Sequence, residues 1–360
     1  MDETTAVTET LTTLSLPILP FEFVEEILCR LPVKLLLQLR CLCKSFDTLI
    51  SDPKFIKKHL HISTACPRLL IFSDDDYSYE LSYPLHFNFS VVTNNATQHY
   101  CPFKIHCPSI LGSCDGMFCL KFNGSITLWN PSIQKLKTLP SLDARGRCGF
   151  PSYGFGFDTL INNYKVICVF PNIGSHAKSI AKIMVHTLGT NSWRMIAGEF
   201  PIPRIRSLKF VSGKLNWIAS KFVVSFDLGN ESYFLPPKLG GEVVNNRILE
   251  VLRGCLCIFV HSHMFTSVWM MKEYGNEETW TQLFRVSRTE NPFFDLFAKP
   301  VWISDEDLVL TKREQTPASW KMNFAICNFR NSVFRIQIIQ SMNGWCTPEV
   351  YIESLVSPCF

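Results

Sequence analysis

Ile126-Thr-Leu-Trp-Asn-Pro-Ser-Ile-Gln-Lys-Leu-Lys-Thr-Leu-Pro140 reads as one short apolar strand, a polar turn and a second strand. The pattern recurs. It returns in IMVHTLGTNSWRMI, VVSFDLGNESYFLP, VWMMKEYGNEETWTQLF and FAICNFRNSVFRIQI. Successive copies lie very roughly 35 to 60 residues apart, which brackets the period of four-stranded propeller blades. A hairpin cannot bury its own apolar face, so related hairpins should stack radially or in two sheets.

Around these copies, other short runs rich in Val, Ile, Phe, Tyr and Trp alternate with Gly, Pro, Asn and Ser. GMFCLKF, YKVICVF, LKFVSGKLNWIAS, CLCIFVH, DLVLTKR, VFRIQII and EVYIESL are strand candidates. About twenty such segments suit five or six blades better than a sandwich of seven to nine strands. One large ring per hairpin, such as Trp129, Trp193 or Trp217, would fill the space between neighbouring sheets.

The first part of the chain has a different period. Residues 1–14 are rich in Thr and Glu, with too little apolar surface to order them. Residues 15–60 are helical in pattern, and residues 61–360 form the β region. Phe21, Val24, Ile27, Leu28 and Leu31 recur at three and four residues, one stripe of an amphipathic helix. Pro32 ends that helix and suits the first turn of the next, expected over Val33 to Lys44. A third short helix is expected over Phe46 to Ile50, and a fourth after Asp52-Pro53. Leu35, Leu36, Leu37, Leu39, Cys41, Leu42 and Cys43 put apolar groups on more than one side of the second helix. Leu37 falls outside its main buried arc, with Leu35 and Leu42 near the edge. Some forty residues bury too little surface to be comfortably stable alone. The surplus therefore meets either a partner or the chain's own β region, and periodicity alone leaves both open.

The bulk numbers bound the function. The 360 residues are 47% hydrophobic and 18% charged, with a formal charge of +4. The basic residues are scattered, without the one-sided stripe that nucleic-acid binding needs. No apolar run approaches a membrane span. The first twenty residues open acidic, lack Lys and Arg, and hold Pro17 and Pro20, so they do not resemble an export signal. The expected compartment is the reducing cytoplasm or nucleus, where the fifteen cysteines act as small core hydrophobes. The four Asn-x-Ser/Thr sequons, at Asn88, Asn95, Asn123 and Asn230, would matter only in a secreted chain.

Motifs that could carry chemistry are weak. Gly112-Ser-Cys114-Asp-Gly116 has the spacing of a nucleophile elbow, but a strand follows it instead of the required helix. A tight turn is the expectation. Gly154-Phe-Gly156 is too short for a dinucleotide loop and suggests a bulge or a close approach of strands. Cys41-x-Cys43 and Cys255-x-Cys257 lack a second pair, and His261 with His263 lacks further ligands. Asp74 to Asp76 lacks the interleaving of a calcium loop. Nothing in the pattern asks for a metal or cofactor.

Two resemblances add to this reading. Leu19 to about Leu60 is similar to an F-box, the helical module that binds the Skp-type adaptor of cullin-RING ubiquitin ligases. Leu19-Pro20, Glu26-Ile27-Leu28, Leu31-Pro-Val-Lys34, Arg40-Cys-x-Cys-Lys-Ser45 and Leu49-Ile-Ser-Asp-Pro-x-Phe55 carry it. Phe46 stands where the family usually has tryptophan. The β region resembles the plant F-box-associated domain through Gly112–Leu120, Leu128-Trp-Asn-Pro-Ser132, Tyr153-Gly-Phe-Gly-Phe-Asp158, Tyr164-Lys-Val166 and Tyr351–Pro358. Together they imply an α+β multidomain chain, a small F-box followed by a kelch-like β-propeller. They imply that Leu19, Pro20, Ile27, Leu28, Leu31, Pro32, Leu36, Leu39, Cys43 and Phe46 meet the adaptor and, through it, a cullin. The β domain would hold a protein substrate; separately, the Gly, Pro and Arg content of residues 141–152 and 287–300 marks these stretches as expected surface loops. The resemblance implies a non-catalytic substrate receptor of such a ligase. The rival readings are a scaffold outside the ligase and a propeller enzyme.

Overall fold

The computed structural model describes residues 20–72, 79–84, 97–100, 108–142, 150–170, 180–197, 200–201, 207–219, 222–234, 246–262, 264–287, 299–303, 308–313, 323–328, 333–337 and 348–359. Four helices come first: α1 (Phe21–Leu28), α2 (Val33–Arg40), α3 (Lys44–Ser51) and α4 (Pro53–Ser63). Pro20 and Pro32 both stand just before their helices in extended conformation, so Pro32 flanks α2 rather than opening its first turn. Pro53 does occupy the first turn of α4, and the Asp52 carboxylate accepts from the Lys54 and Phe55 amides at 2.6 and 3.4 Å. α2 stops four residues before the expected Lys44. Cys43 is fully extended there, which turns the chain so that α3 starts at Lys44 and folds Ile50 back onto α2.

Among the described residues every other regular element, apart from one short 3-10 turn, is a strand, and the strands form six antiparallel sheets. The first combines β1 (Arg68–Phe72), β2 (Tyr79–Pro84) and β3 (Thr97–Tyr100) with the late strand Pro348–Tyr351. The second holds β4 (Ser109–Cys114), β5 (Met117–Phe122), β6 (Ser125–Asn130) and β7 (Lys135–Thr138). The third holds β8 (Ser152–Asp158), β9 (Asn163–Phe170), β10 (Ile180–Thr187), β11 (Arg194–Met195) and β12 (Phe200–Pro201). The fourth runs β13 (Lys209–Val211), β14 (Lys214–Ala219), β15 (Phe222–Asp227), β16 (Tyr233–Phe234). The fifth runs β17 (Asn246–Leu252), β18 (Cys255–His261), β19 (Phe265–Met271), β20 (Trp280–Ser287). The sixth runs β21 (Lys299–Ile303), β22 (Leu308–Arg313), β23 (Asn323–Asn328), β24 (Val333–Gln337), leaving Pro348–Tyr351 as β25.

The leading strands β4, β8, β13, β17, β21 and β25 follow one another around an axis. That ring, with four-stranded meanders radiating from it, is a six-bladed β-propeller. β25 supplies the inner strand of the first blade by pairing with β1, Arg68 opposite Tyr351. The ring is thus closed by strands far apart in sequence. Among the described residues, four of the junctions between blades have a core of their own. Leu70 and Tyr351 meet Phe118, Leu120 and Trp129; Cys119, Ile126 and Leu128 meet Phe155, Tyr164 and Val166. Ile167, Val169 and Ile183 meet Leu215, Trp217 and Phe226; Val211 and Val223 meet Leu249, Leu256 and Ile258. Among the described residues Trp129 and Trp217 are the largest fully buried side chains, which is the space-filling role expected of them.

The Gly154–Gly156 pair marks a close approach, not a bulge. β8 runs in unbroken register with β9. A Cβ on Gly154 would strike the Leu215 side chain, and one on Gly156 the Phe210 ring, both in the next blade. The Cys114–Gly116 stretch is a tight hairpin turn between β4 and β5, with Asp115 and Gly116 at φ 51° and 77°. Cys114 is buried, and burial raises its thiol well above the usual range, away from a reactive thiolate. His261 lies buried with Nδ1 3.2 Å from Thr266 Oγ1. His263 and Asp74 to Asp76 lie outside the described residues.

Candidate functional site

Antiparallel meanders give the propeller two unlike faces. The β4–β5, β8–β9, β13–β14 and β17–β18 turns and the β6–β7, β10–β11, β15–β16 and β19–β20 turns all lie at one end of their blades. The connections from blade to blade leave from the other end. The helical unit sits on the face of short turns. α4 enters β1 there, Lys57 Nζ donates to Asn162 Oδ1 in the β8–β9 turn at 2.7 Å, and Ile56 and Leu60 rest on the core between the second and third blades. The connections 141–152 and 287–300 begin and end at the opposite face; residues 143–149 and 288–298 lie outside the described residues.

Within the helical unit, Leu28, Cys29, Val33, Leu36, Ile50 and Phe55 form a buried core. His59 closes its base, with Nε2 donating to the Leu31 carbonyl at 3.0 Å and Nδ1 3.3 Å from Ser63 Oγ. Burial lowers the His59 pKa, which favours this neutral form. Lys58 spans α4 and α1, at 3.0 Å from Glu25 and 2.9 Å from Glu26, and Arg30 also reaches Glu26 at 2.8 Å. Hydrogen bonds from Arg30 and Lys58 hold the Glu26 carboxyl below its usual range. A groove of about 630 Å³ opens between α1, α3 and α4, lined by Glu25, Lys44, Thr48, Asp52, Lys54 and Phe55 among others.

The ten residues singled out by sequence separate into distinct environments. Leu19 lies outside the described residues. Pro20, Ile27, Pro32 and Cys43 are exposed; Leu31, Leu39 and Phe46 are half-buried around the helical core. Leu28 and Leu36 are not surface groups. At 5% and 0% exposure they are the interior of the unit, and any influence they have on a partner passes through its shape. The F-box resemblance includes both among the expected contacts, and in this chain both pack inward. Phe23, absent from that set, is 59% exposed, beside Ile27 at 53% on the same side of α1. Leu35 and Leu42, placed near the arc's edge, are exposed too, while Leu37 is half-buried. The outward apolar surface is therefore Phe23, Ile27, Leu35 and Leu42, with Pro20 and Pro32. It can dock an apolar partner surface and holds no group suited to bond chemistry.

The motif residues of the β region are fasteners. Asp158 accepts from the Leu160 amide at 2.8 Å and pairs with the buried Lys165 ammonium at 2.8 Å. Lys165 also reaches the Leu228 carbonyl and Glu231, tying the third blade to the fourth. Tyr164 donates to Asp115 at 2.8 Å across the second and third blades. Asn130 Nδ2 donates to Ser354 O, Ser354 Oγ and Val356 O at 3.0, 3.0 and 2.7 Å.

An F-box-like unit thus stands on the turn face of a six-bladed propeller. Comparison with known families agrees. The model described as "F-box associated beta propeller domain" matches residues 68–344, and the F-box domain model matches residues 16–58. The chain belongs to the F-box-associated β-propeller family, as a plant-type F-box protein. It is similar to the F-box/kelch-repeat protein At3g23880 of Arabidopsis thaliana, with 29% identity over 94% of this chain and 96% of that protein. It is also similar to the F-box protein CPR1 of the same plant, with 27% identity over 95% and 89%.

Proposed function

We propose that this chain is the substrate receptor of an SCF-type ubiquitin ligase. Its helical unit binds a Skp-type adaptor, and through it a cullin; the propeller holds a protein substrate. The protein forms and breaks no bond itself. It raises the local concentration of substrate lysines near a ubiquitin-conjugating enzyme carried by the assembly, and so promotes proteasomal degradation. The observation that carries this reading is the surface of Phe23, Ile27, Leu35 and Leu42, which the propeller leaves uncovered. Apolar groups concentrated on so small a unit serve a partner. A specific contact of this kind buries roughly 1,200–2,000 Å². The long blade-to-blade connections, on the face away from the helical unit, are the substrate side. The reading places the protein in the cytoplasm or nucleus, and the buried thiols of Cys29, Cys119 and Cys257, which form no disulfide among the described residues, fit a reducing compartment.

The test is a pull-down with Phe23→Asp and Ile27→Asp together. Both side chains are exposed, so the fold should melt as the wild type does while adaptor capture is lost. Undiminished capture sinks the assignment of that surface. If the adaptor binds but no cullin co-purifies, the chain is a scaffold outside the ligase.

A further inference from the structure

The helical unit joins the propeller covalently at one place, the short stretch 64–67 between α4 and β1. A single joint of that kind is a hinge unless packing braces it, and α4 gives a first brace through Lys57, Ile56 and Leu60 on the second and third blades. The segment after β25, residues 352–359, supplies a second anchor. Ser354 is fully buried; its amide donates to Ser132 Oγ at 3.2 Å, and its hydroxyl to the Asp115 carbonyl at 2.7 Å. Asn130 clasps the same residue and Val356 from the end of β6. Between these two grips, Leu355 points the other way, into the helical core. Among the buried members of that cluster it alone comes from outside the helical unit. Gly116 leaves room for the segment, since a Cβ there would strike the Ile352 carbonyl and the Ser354 side chain.

We infer that residues 352–356 are a strut that fixes the orientation of the F-box on the propeller, with Leu355 as its peg and Asn130 as its clasp. A hinge with a second, off-axis anchor cannot swing. The strut therefore sets the geometry between the adaptor-docking surface and the distal face. Its consequence for ubiquitin transfer rests on the receptor reading above, but the strut itself is a property of the chain alone.

The experiment is single-molecule energy transfer on the full chain without adaptor. Donor and acceptor dyes are carried by encoded azide residues at the exposed positions Lys44 and Lys272. Wild type gives one narrow distribution. Leu355→Ala broadens it at least twofold, while Leu355→Met keeps it narrow and adaptor affinity changes by less than about threefold. A narrow, unshifted distribution in Leu355→Ala overturns the proposal. Should Leu355→Ala not fold, Leu355→Val decides by the same readout: broadening supports the strut and an unchanged width overturns it. Loss of adaptor binding in wild type with the energy-transfer result intact would defeat the receptor reading and leave the strut standing.

Discussion

Asn130→Asp replaces one atom of the clasp and inverts its polarity. The carboxylate still accepts from the Ser132 amide, now made at 2.8 Å, so the turn itself keeps its bond. What changes is the other end. The Nδ2 group has two hydrogens and serves three buried acceptors on Ser354 and Val356. Asp offers oxygen to oxygen there. At least two buried acceptors lose a donor, at about 1–3 kcal/mol each, for a total of about 2–6 kcal/mol. With an unfolding entropy of about 2.1 cal/mol/K per residue over about 300 residues, that lowers Tm by about 3–10 °C. Calorimetry reads the shift, and hydrogen exchange should show β25 and its pairing with β1 loosening first. A Tm within about 1 °C of wild type would refute the clasp as a stabilising element.

Gly156→Ala places a methyl group against the Phe210 ring without any backbone strain of its own, so it should destabilise by about 1–3 kcal/mol. Denaturant titration measures this, and Phe210→Leu in the same chain should recover part of it; equal stability of Gly156→Ala and wild type contradicts the close approach. Burial lowers the pKa values of His59, His186 and His261, so the native state resists their protonation. The stability they contribute is present above the unfolded value of about 6.5 and is lost as pH falls through the lower folded values. Tm should therefore fall between about pH 7 and 5, and less steeply in His59→Gln, which retains a donor for the Leu31 carbonyl; identical slopes would contradict the buried neutral form.

Much of the architecture is legible in the sequence because blade strands obey local rules. Strands such as β5, β9, β15 and β18 are bounded by turns and rich in β-branched and aromatic residues, and periodicity finds them. β1 and β17 carry the same apolar character but have weaker boundaries. β8 hides behind two glycines whose reason is a neighbouring blade, which no local window contains. β25 is found, yet its continuation Ile352–Leu355, read as more strand, leaves the sheet for the helical core. Only the register of Arg68 with Tyr351 shows why. At the candidate docking surface the helical stripe located the unit, and Leu42, placed near the edge of the buried arc, is exposed. The division between Ile27 and its neighbour Leu28 was not, because which side faces α2 and α3 is set by tertiary packing.

The claim on which the account rests is that the first two helices offer their outer side to another protein. Hydrogen-exchange mass spectrometry of the purified full chain, with and without a Skp-type adaptor, tests it most directly. Slower exchange confined to α1, α2 and the turn through Cys43, with the blade strands unchanged, is the predicted footprint. Unaltered exchange in those helices at saturating adaptor, or protection that falls on the propeller, would contradict it.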